Sequence, residues 1–286
     1  MNRAPALEAA VAEAAGKKIR SIRPLSGGSV AEVVLVEFDD RSRLVAKRGR
    51  PGQSLALEGW MLDYLGRETR LPVPAVVSAT DDLLLMEYIE SGGALDVHCE
   101  RHAAELLAAL HDLSAPAFGL ERATVIGGLQ QPNEWTTSWI SFFREQRLLF
   151  MARAAHGEGE IEAALLSRVE KFAERLDKFL EEPARPSLIH GDMWGGNVLC
   201  RNGRIAGFVD PAIYFADPEI ELAFSTLFSI FGDAFFARYR ELRGLRPGFF
   251  EVRRDIYNLY PLLVHVRLFG GHYAAAVERT LARFGF

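Results

Sequence analysis

The stretch His190-Gly191-Asp192-Met193-Trp194-Gly195-Gly196-Asn197, followed by the run Ile205-Ala206-Gly207-Phe208-Val209 that ends at Asp210, decides how this chain is read. Ser187 to His190 is a brief apolar run that predicts a strand, with Asp192 on the turn after it. Asn197 lies five residues further on, and Asp210 follows a second predicted strand, so the pattern is that of a loop offering one carboxylate to an acceptor hydroxyl and two oxygen ligands to a metal. Oxygen ligands of this kind suit Mg²⁺, which pairs a few protein oxygens with substrate phosphates and water. Asp and Asn also fill turns for purely local reasons. A His-Gly-Asp triplet with Asn at this offset, however, arises by chance only about once in a thousand chains of this length. The spacing therefore predicts phosphoryl transfer from a nucleotide to a hydroxyl, with Asp192 as base and Asn197 and Asp210 as metal ligands. His190 is expected to brace the loop through hydrogen bonds.

Upstream, the sequence supplies a partner for the phosphates. Short strands are predicted at Ile19 to Leu25, Ala31 to Phe38 and Arg43 to Lys47, punctuated by Ser26-Gly27-Gly28-Ser29 and Asp39-Asp40-Arg41. Lys47 ends the third strand, in the position of a phosphate-pairing lysine, and Glu58, on a predicted helix Leu55 to Leu65, is placed to hold its ammonium. Gly27, Gly28 and Ser29 would let backbone amides approach phosphates, though a plain hairpin turn has the same composition. After the extended Leu71-Pro72-Val73-Pro74, strands are predicted at Val76 to Ser78 and Leu83 to Tyr88. Backbone around Glu87 and Ile89 could bond an adenine, or simply end a buried strand. Gly16-Lys17 is no Walker A element, because Lys18 stands where Ser or Thr is required.

Beyond Ser91-Gly92-Gly93 the texture changes. Ala103, Leu106, Leu107, Leu110 and Leu113 recur at helical spacing, as do Leu165, Val169, Phe172, Leu176 and Phe179. The organisation is thus α+β: residues 1–90 form a small antiparallel sheet with one helix, and residues 91–286 form a larger, mainly helical part. The runs at Ser187 to His190, Asn197 to Cys200 and Ile205 to Asp210 are read as a small hairpin set among those helices. With 286 residues, 49% of them hydrophobic and 25% charged, the chain has the composition of a globular protein with a sizeable core. A net charge of -5 without charge blocks gives no footprint for nucleic acid or an anionic membrane. No apolar run is long enough to span a bilayer. Glu8 and Glu13 interrupt any signal-peptide core, and Cys99 and Cys200 read as reduced thiols, so a cytoplasmic location is expected.

Further residues narrow the reading. Gln131-Pro132-Asn133-x-Trp135 with Trp139, Phe142, Phe143 and Arg147, the His190 to Trp194 loop, Asp210-Pro211-Ala212-x-Tyr214, and a tail with His265, Leu268, Phe269, Gly270 and Tyr273 together resemble the fructosamine-3-kinase (ketosamine-3-kinase) family. That family lies within the aminoglycoside phosphotransferase and protein-kinase-like superfamily, and the resemblance spans nearly the whole chain. It implies a two-lobed protein-kinase-like fold and use of ATP with Mg²⁺ to phosphorylate the 3-hydroxyl of a ketoamine sugar on a small amine or a protein lysine, which frees the amine. It also implies Asp192 as base, Asn197 and Asp210 on the metal, Lys47 paired with Glu58, and Trp194 beside the sugar, where an indole face can stack. Trp135, Tyr214 and Asp217 join it as acceptor-side candidates. Trp135 and Trp139, four residues apart on a predicted helix, also suit core packing.

The chain departs from the family pattern at Gly195, Ala216, Pro218 and Ser229-Ile230, all on the acceptor side. Residues 23–34 contain no cysteine, so redox control through the Gly-rich loop is not expected. An aminoglycoside kinase would meet its polycation with acidic groups, and Asp217, Glu219 and Glu221 keep that alternative open, as does the anchoring of a helix for Glu221. A nucleotide-binding pseudokinase is disfavoured by the intact set Lys47, Asp192, Asn197 and Asp210.

Overall fold

The computed structural model describes residues 3–25, 31–49 and 54–286, which leaves Gly27, Gly28 and Ser29 outside the described residues. The chain forms two compact units. The first comprises the residues up to Ala103 together with Gly196–Pro211, and the second comprises Ala104–Gly195 and Ala212–Phe286. The first unit therefore runs past residue 90 and takes in a later segment that holds Asn197 and Asp210.

The first unit is built on five antiparallel strands, β1 (Ile19–Pro24), β2 (Glu32–Phe38), β3 (Arg43–Arg48), β4 (Val76–Ala79) and β5 (Leu83–Glu87), in the order β1-β2-β3-β5-β4. Two helices, α1 (Arg3–Ala15) and α2 (Leu55–Glu68), cover it. Strand alternation explains the arrangement, because successive side chains face opposite sides. Val34, Val36, Phe38, Ala46, Leu83 and Leu85 pack with Leu7 and Val11 of α1. Val45, Leu84 and Met86 pack with Leu55 and Leu62 of α2. On β3, Lys47 shares its parity with Val45 and so points to the α2 side. On α2, Glu58 lies on the buried stripe with Leu55, Leu62 and Leu65. Gly59 lets that helix approach closely, since a Cβ there would stand 2.5 Å from the Ala79 Cβ.

The later segment is a hairpin of Val198–Arg201 and Arg204–Phe208, turned at Asn202-Gly203, both at positive φ. It is tied to the first unit by Phe208 N–H donating to the Pro72 carbonyl and by Gly92 and Gly93 N–H donating to the Cys200 carbonyl. Arg201, the last residue of its first strand, also meets Glu90 at 2.5 Å, and Glu90 in turn holds Arg43 of β3.

The second unit is mainly helical, with helices including Trp139–Phe143 continuing through Gly157, Ala163–Ala173, Glu219–Leu227, Asp233–Arg243, Arg254–Phe269 and Ala274–Arg283. Of the runs expected to form one hairpin, 198–201 and 204–208 do so, whereas Ser187–Ile189 pairs elsewhere, and three two-stranded ladders occur among the described residues. Ser187–Ile189 pairs with Tyr214–Ala216 and Thr124–Ile126 with Leu129–Gln131 in this unit, while the 198–208 hairpin belongs to the first. No helix among the described residues is long and apolar enough to cross a membrane.

Candidate active site

Lys47 is the centre of a buried triad in the first unit. Its Nζ lies 2.9 and 2.8 Å from the two carboxylate oxygens of Glu58 and 3.0 Å from Oδ2 of Asp210. Lys47 and Glu58 are nearly inaccessible, whereas the Asp210 side chain is 41% exposed. One ammonium thus serves two carboxylates. Burial and the neighbouring Asp210 charge push the Glu58 carboxyl up to about 7, against the pull of Lys47. Burial acts to lower the Lys47 pKa, but Asp210 and Glu58 outweigh it and raise it well above its ordinary value. Asp210 sits at φ +54, a left-handed conformation that Asp tolerates better than most residues. Asn197, at the head of the hairpin, is buried, and its carbonyl accepts the Val209 N–H at 3.1 Å. Glu87 is exposed, with its backbone N–H donating to the Ala75 carbonyl, and Ile89 rests against Gly207.

The loop that carries Asp192 belongs to the second unit. It leaves the buried strand Ser187–Ile189 and is held at Gly191, which has φ +87. A Cβ at Gly191 would lie 2.1 Å from the Ala212 carbonyl oxygen, so only glycine fits there. The Gly191 N–H donates to Glu221 Oε1 at 2.7 Å, and the Ala212 N–H donates to the His190 carbonyl at 2.7 Å. His190 is fully buried, and its Nδ1 accepts the Asp192 N–H at 3.4 Å. Asp192 and Trp194 are half-buried, Met193 is in the core, and Gly195 is exposed.

The acceptor-side candidates separate into two groups. Trp135 is 49% exposed, with its ring 6.2 Å from that of Phe215. It does not share a helix with Trp139, contrary to the spacing-based expectation. Ser138 caps that helix by accepting the Ser141 N–H, and Glu182 accepts the Trp139 N–H at 2.6 Å, so the helix starts after Trp135. Trp139 is buried and donates to Tyr257 Oη at 2.9 Å.

Tyr214 and Asp217 do not offer themselves to an acceptor. Tyr214 is buried with the Arg147 guanidinium 3.8 Å from its ring centroid and Phe142 stacked on it. Asp217 is buried and accepts from Glu219 N–H, from Tyr257 Oη at 2.7 Å and from Arg246. Burial nonetheless raises the Asp217 carboxyl, with Arg246 opposing. Glu219 is likewise neutralised, by Arg253 at 2.5 Å and by Arg246.

The motif Gln131-Pro132-Asn133 was quoted above for resemblance alone, yet its side chains are buried structural members. Asn133 Oδ1 accepts from Arg147 at 2.5 Å, and Gln131 bonds to Thr124, Ala212 and Tyr260. His111, which sequence did not single out, is buried between Tyr239 Oη and Glu221 Oε2, each at 2.7 Å.

The family model described as fructosamine kinase matches residues 3–284. The chain belongs to the fructosamine kinase family. It is a kinase, a phosphotransferase, with the α+β protein-kinase-like fold. The kinase is 31% identical over 273 residues to a probable ketoamine kinase of Synechocystis, covering 92% of this chain and 90% of that one. It is 33% identical over 254 residues to the Escherichia coli probable ketoamine kinase YniA, with coverage of 87% and 84%. Among solved structures, a protein described as a fructosamine-3-kinase from Thermobifida fusca superposes with a TM-score of 0.84 at 30% identity, covering 97% of this kinase and 98% of that chain. An aminoglycoside phosphotransferase solved with ADP and hygromycin B superposes at 0.70 with 17% identity and shares the fold.

Proposed function

We propose that this kinase uses Mg²⁺-ATP to phosphorylate the 3-hydroxyl of ketoamine sugar adducts, fructosamines or ribulosamines on small amines or on protein lysines, and thereby promotes their deglycation. The observation that carries the proposal is the Lys47–Glu58–Asp210 triad within a fructosamine kinase chain. Glu58 holds the Lys47 ammonium for the nucleotide phosphates, and Gly27, Gly28 and Ser29, outside the described residues, are assigned to the same phosphates from the sequence alone. Glu87 and Ile89 offer backbone to the adenine. Asn197 and Asp210 would hold Mg²⁺, and the fit is supported by the partly exposed Asp210 carboxylate, an oxygen ligand of the kind that ion takes. When bound, the ion neutralises charge on the phosphate oxygens. Asp192 takes the proton of the acceptor hydroxyl as the phosphoryl group is transferred. Trp194 and Trp135 offer indole faces to the sugar. Tyr214 and Asp217 have no part in this account. A cytoplasmic location is part of the same proposal.

The competing reading is a kinase for another small hydroxyl compound, an aminoglycoside, choline or a sugar, and its aminoglycoside form rests on Asp217, Glu219 and Glu221. Those carboxylates are buried and bonded to Arg246, Arg253, Tyr257, His111 and Gly191, so they form no acidic wall for a polycation. The test is phosphate transfer from Mg²⁺-ATP across fructosamine, ribulosamine, free sugars and aminoglycosides. Turnover is expected with the ketoamines, and activity confined to aminoglycosides would overturn the proposal.

A further inference from the structure

Gln131 is fully buried, and its amide is saturated by three segments far apart in sequence. One N–H donates to Thr124 Oγ1 at 2.7 Å, the other donates to the Ala212 carbonyl at 3.1 Å, and Oε1 accepts the Tyr260 hydroxyl at 2.6 Å. Thr124 Oγ1 also accepts from Asn133, so the amide cannot rotate without breaking a buried network. The carbonyl that Gln131 fixes is the one against which Gly191 packs, and the N–H of the same residue holds the His190 carbonyl. Ala212 therefore grips both residues that precede Asp192, and Gln131 grips Ala212.

We infer that Gln131 is a positioning residue for phosphoryl transfer, acting through the Ala212 carbonyl to fix Gly191 and so the direction of the Asp192 carboxylate. The inference rests on the reading of Asp192 as base. A glycine at positive φ has more backbone freedom than any other residue, so its conformation must be imposed from outside. Glu221 fixes the Gly191 N–H, and the Ala212 carbonyl blocks its α-carbon face. If the Ala212 carbonyl loses its donor, that block is free to shift. A displacement near 1 Å at a reacting group costs roughly a hundredfold in rate.

Steady-state kinetics with Mg²⁺-ATP and the best ketoamine acceptor tests this, with every rate normalised to folded enzyme by near-ultraviolet circular dichroism. Gln131→Leu removes both donors at similar volume. Its kcat is expected to fall about a hundredfold, with KM for ATP and for the acceptor within about twofold of wild type. Gln131→Glu keeps the shape but loses the donor to Ala212 whenever the introduced carboxyl is ionised. Once protonated, that carboxyl can donate to the Ala212 carbonyl and accept from Tyr260, and burial favours the protonated form. The kcat of Gln131→Glu relative to wild type should thus climb as pH falls, while that of Gln131→Leu stays at a constant fraction.

Tyr260→Phe removes one anchor of the amide and is expected to lower kcat about fivefold to tenfold without changing either KM, and it serves if both Gln131 variants fail to fold. A kcat within threefold of wild type in folded Gln131→Leu, a kcat for Gln131→Glu that is as low as that of Gln131→Leu at every pH, or an unchanged kcat in Tyr260→Phe overturns the inference. Asp192→Asn separates the two ideas. If it retains wild-type turnover, the base assignment fails; if it is inactive while folded Gln131→Leu turns over normally, only the role of Gln131 fails.

Discussion

Glu221 is the second restraint on Gly191, and its replacement can be worked through from the structure. Its carboxylate is buried, with Oε1 accepting the Gly191 N–H and Oε2 bonded to His111 Nε2, each at 2.7 Å. Glu221→Leu removes the acceptor while keeping the volume, leaving a buried backbone N–H and a buried ring nitrogen without partners. Each such group costs about 1–3 kcal/mol, so the loss should be about 4 kcal/mol. For a unit of this size that corresponds to a fall in Tm of roughly 8–16 °C.

Glu221→Gln behaves differently. The amide oxygen can still accept from Gly191, and the amide nitrogen can donate to His111 Nε2 if the ring proton moves to Nδ1 and is offered to Tyr239 Oη. Both contacts survive, and the cost should stay below about 1.5 kcal/mol. Thermal and urea unfolding of the three proteins measures this, with kcat taken on the folded fraction. The Leu variant should also lose turnover, because nothing then holds the Gly191 peptide plane. A Glu221→Leu protein within 1 kcal/mol of wild type, or one less affected than Glu221→Gln, would refute the reasoning.

Three further outcomes are expected. Lys47→Met leaves two carboxylates without their cation, and kcat should drop about 10²–10³-fold while the acceptor KM holds, as read from initial rates. Cys99 and Cys200 are buried, and burial first, then the neighbouring Cys99, pushes the Cys200 thiol up to about 12. A thiol reagent at neutral pH should therefore label neither cysteine in the native protein and both after unfolding. Glu158 is bonded by Arg267 at 2.6 and 2.9 Å, which lowers its pKa below the usual 4.5, with burial opposing. A lowered acid stabilises the fold above its unfolded pKa and loses that contribution as pH falls through its folded one. Being partly exposed, the pair is worth under about 1 kcal/mol, and the stability difference between wild type and Glu158→Gln should vanish in acid.

Local rules carried the sheet and the facing of Lys47 and Glu58, while the bond from Lys47 to Asp210, 163 residues away, lay beyond them. Strands β1 to β5 obey alternation bounded by Gly, Asp and Pro, and Glu58 lies three residues after Leu55 and four before Leu62, on one helix face. What could not be read is non-local. The strand Tyr214–Ala216 is legible only against Ser187–Ile189, and the segment 196–211 joins the first unit through bonds to Pro72, Gly92 and Gly93. Asp217 looked available because Arg246 and Tyr257, which neutralise it, stand 29 and 40 residues away. Trp135 matched a helical period with Trp139, but the Ser138 cap starts the helix between them. The spacing was a weaker signal than the capping residue.

The inward turn of those acidic residues bears on how the acceptor is recognised. With Asp217, Glu219 and Glu221 engaged by buried partners, the candidates apart from Asp192 left open to an acceptor on the second unit are Trp194 and the exposed Trp135, which are aromatic and uncharged. An indole face attracts the C–H side of a sugar through dispersion and water exclusion, and neither depends on ionic strength. A polycation held by exposed carboxylates would lose affinity as salt shortens the Debye length from about 10 Å at 0.1 M to about 3 Å at 1 M. The acceptor KM of this kinase for an uncharged-amine ketoamine should therefore change less than about twofold between these salt concentrations. The Trp135→Ala variant should raise that KM several-fold at both. A KM that climbs steeply with salt and ignores Trp135 would show that charge, supplied by groups other than the buried acids, selects the acceptor.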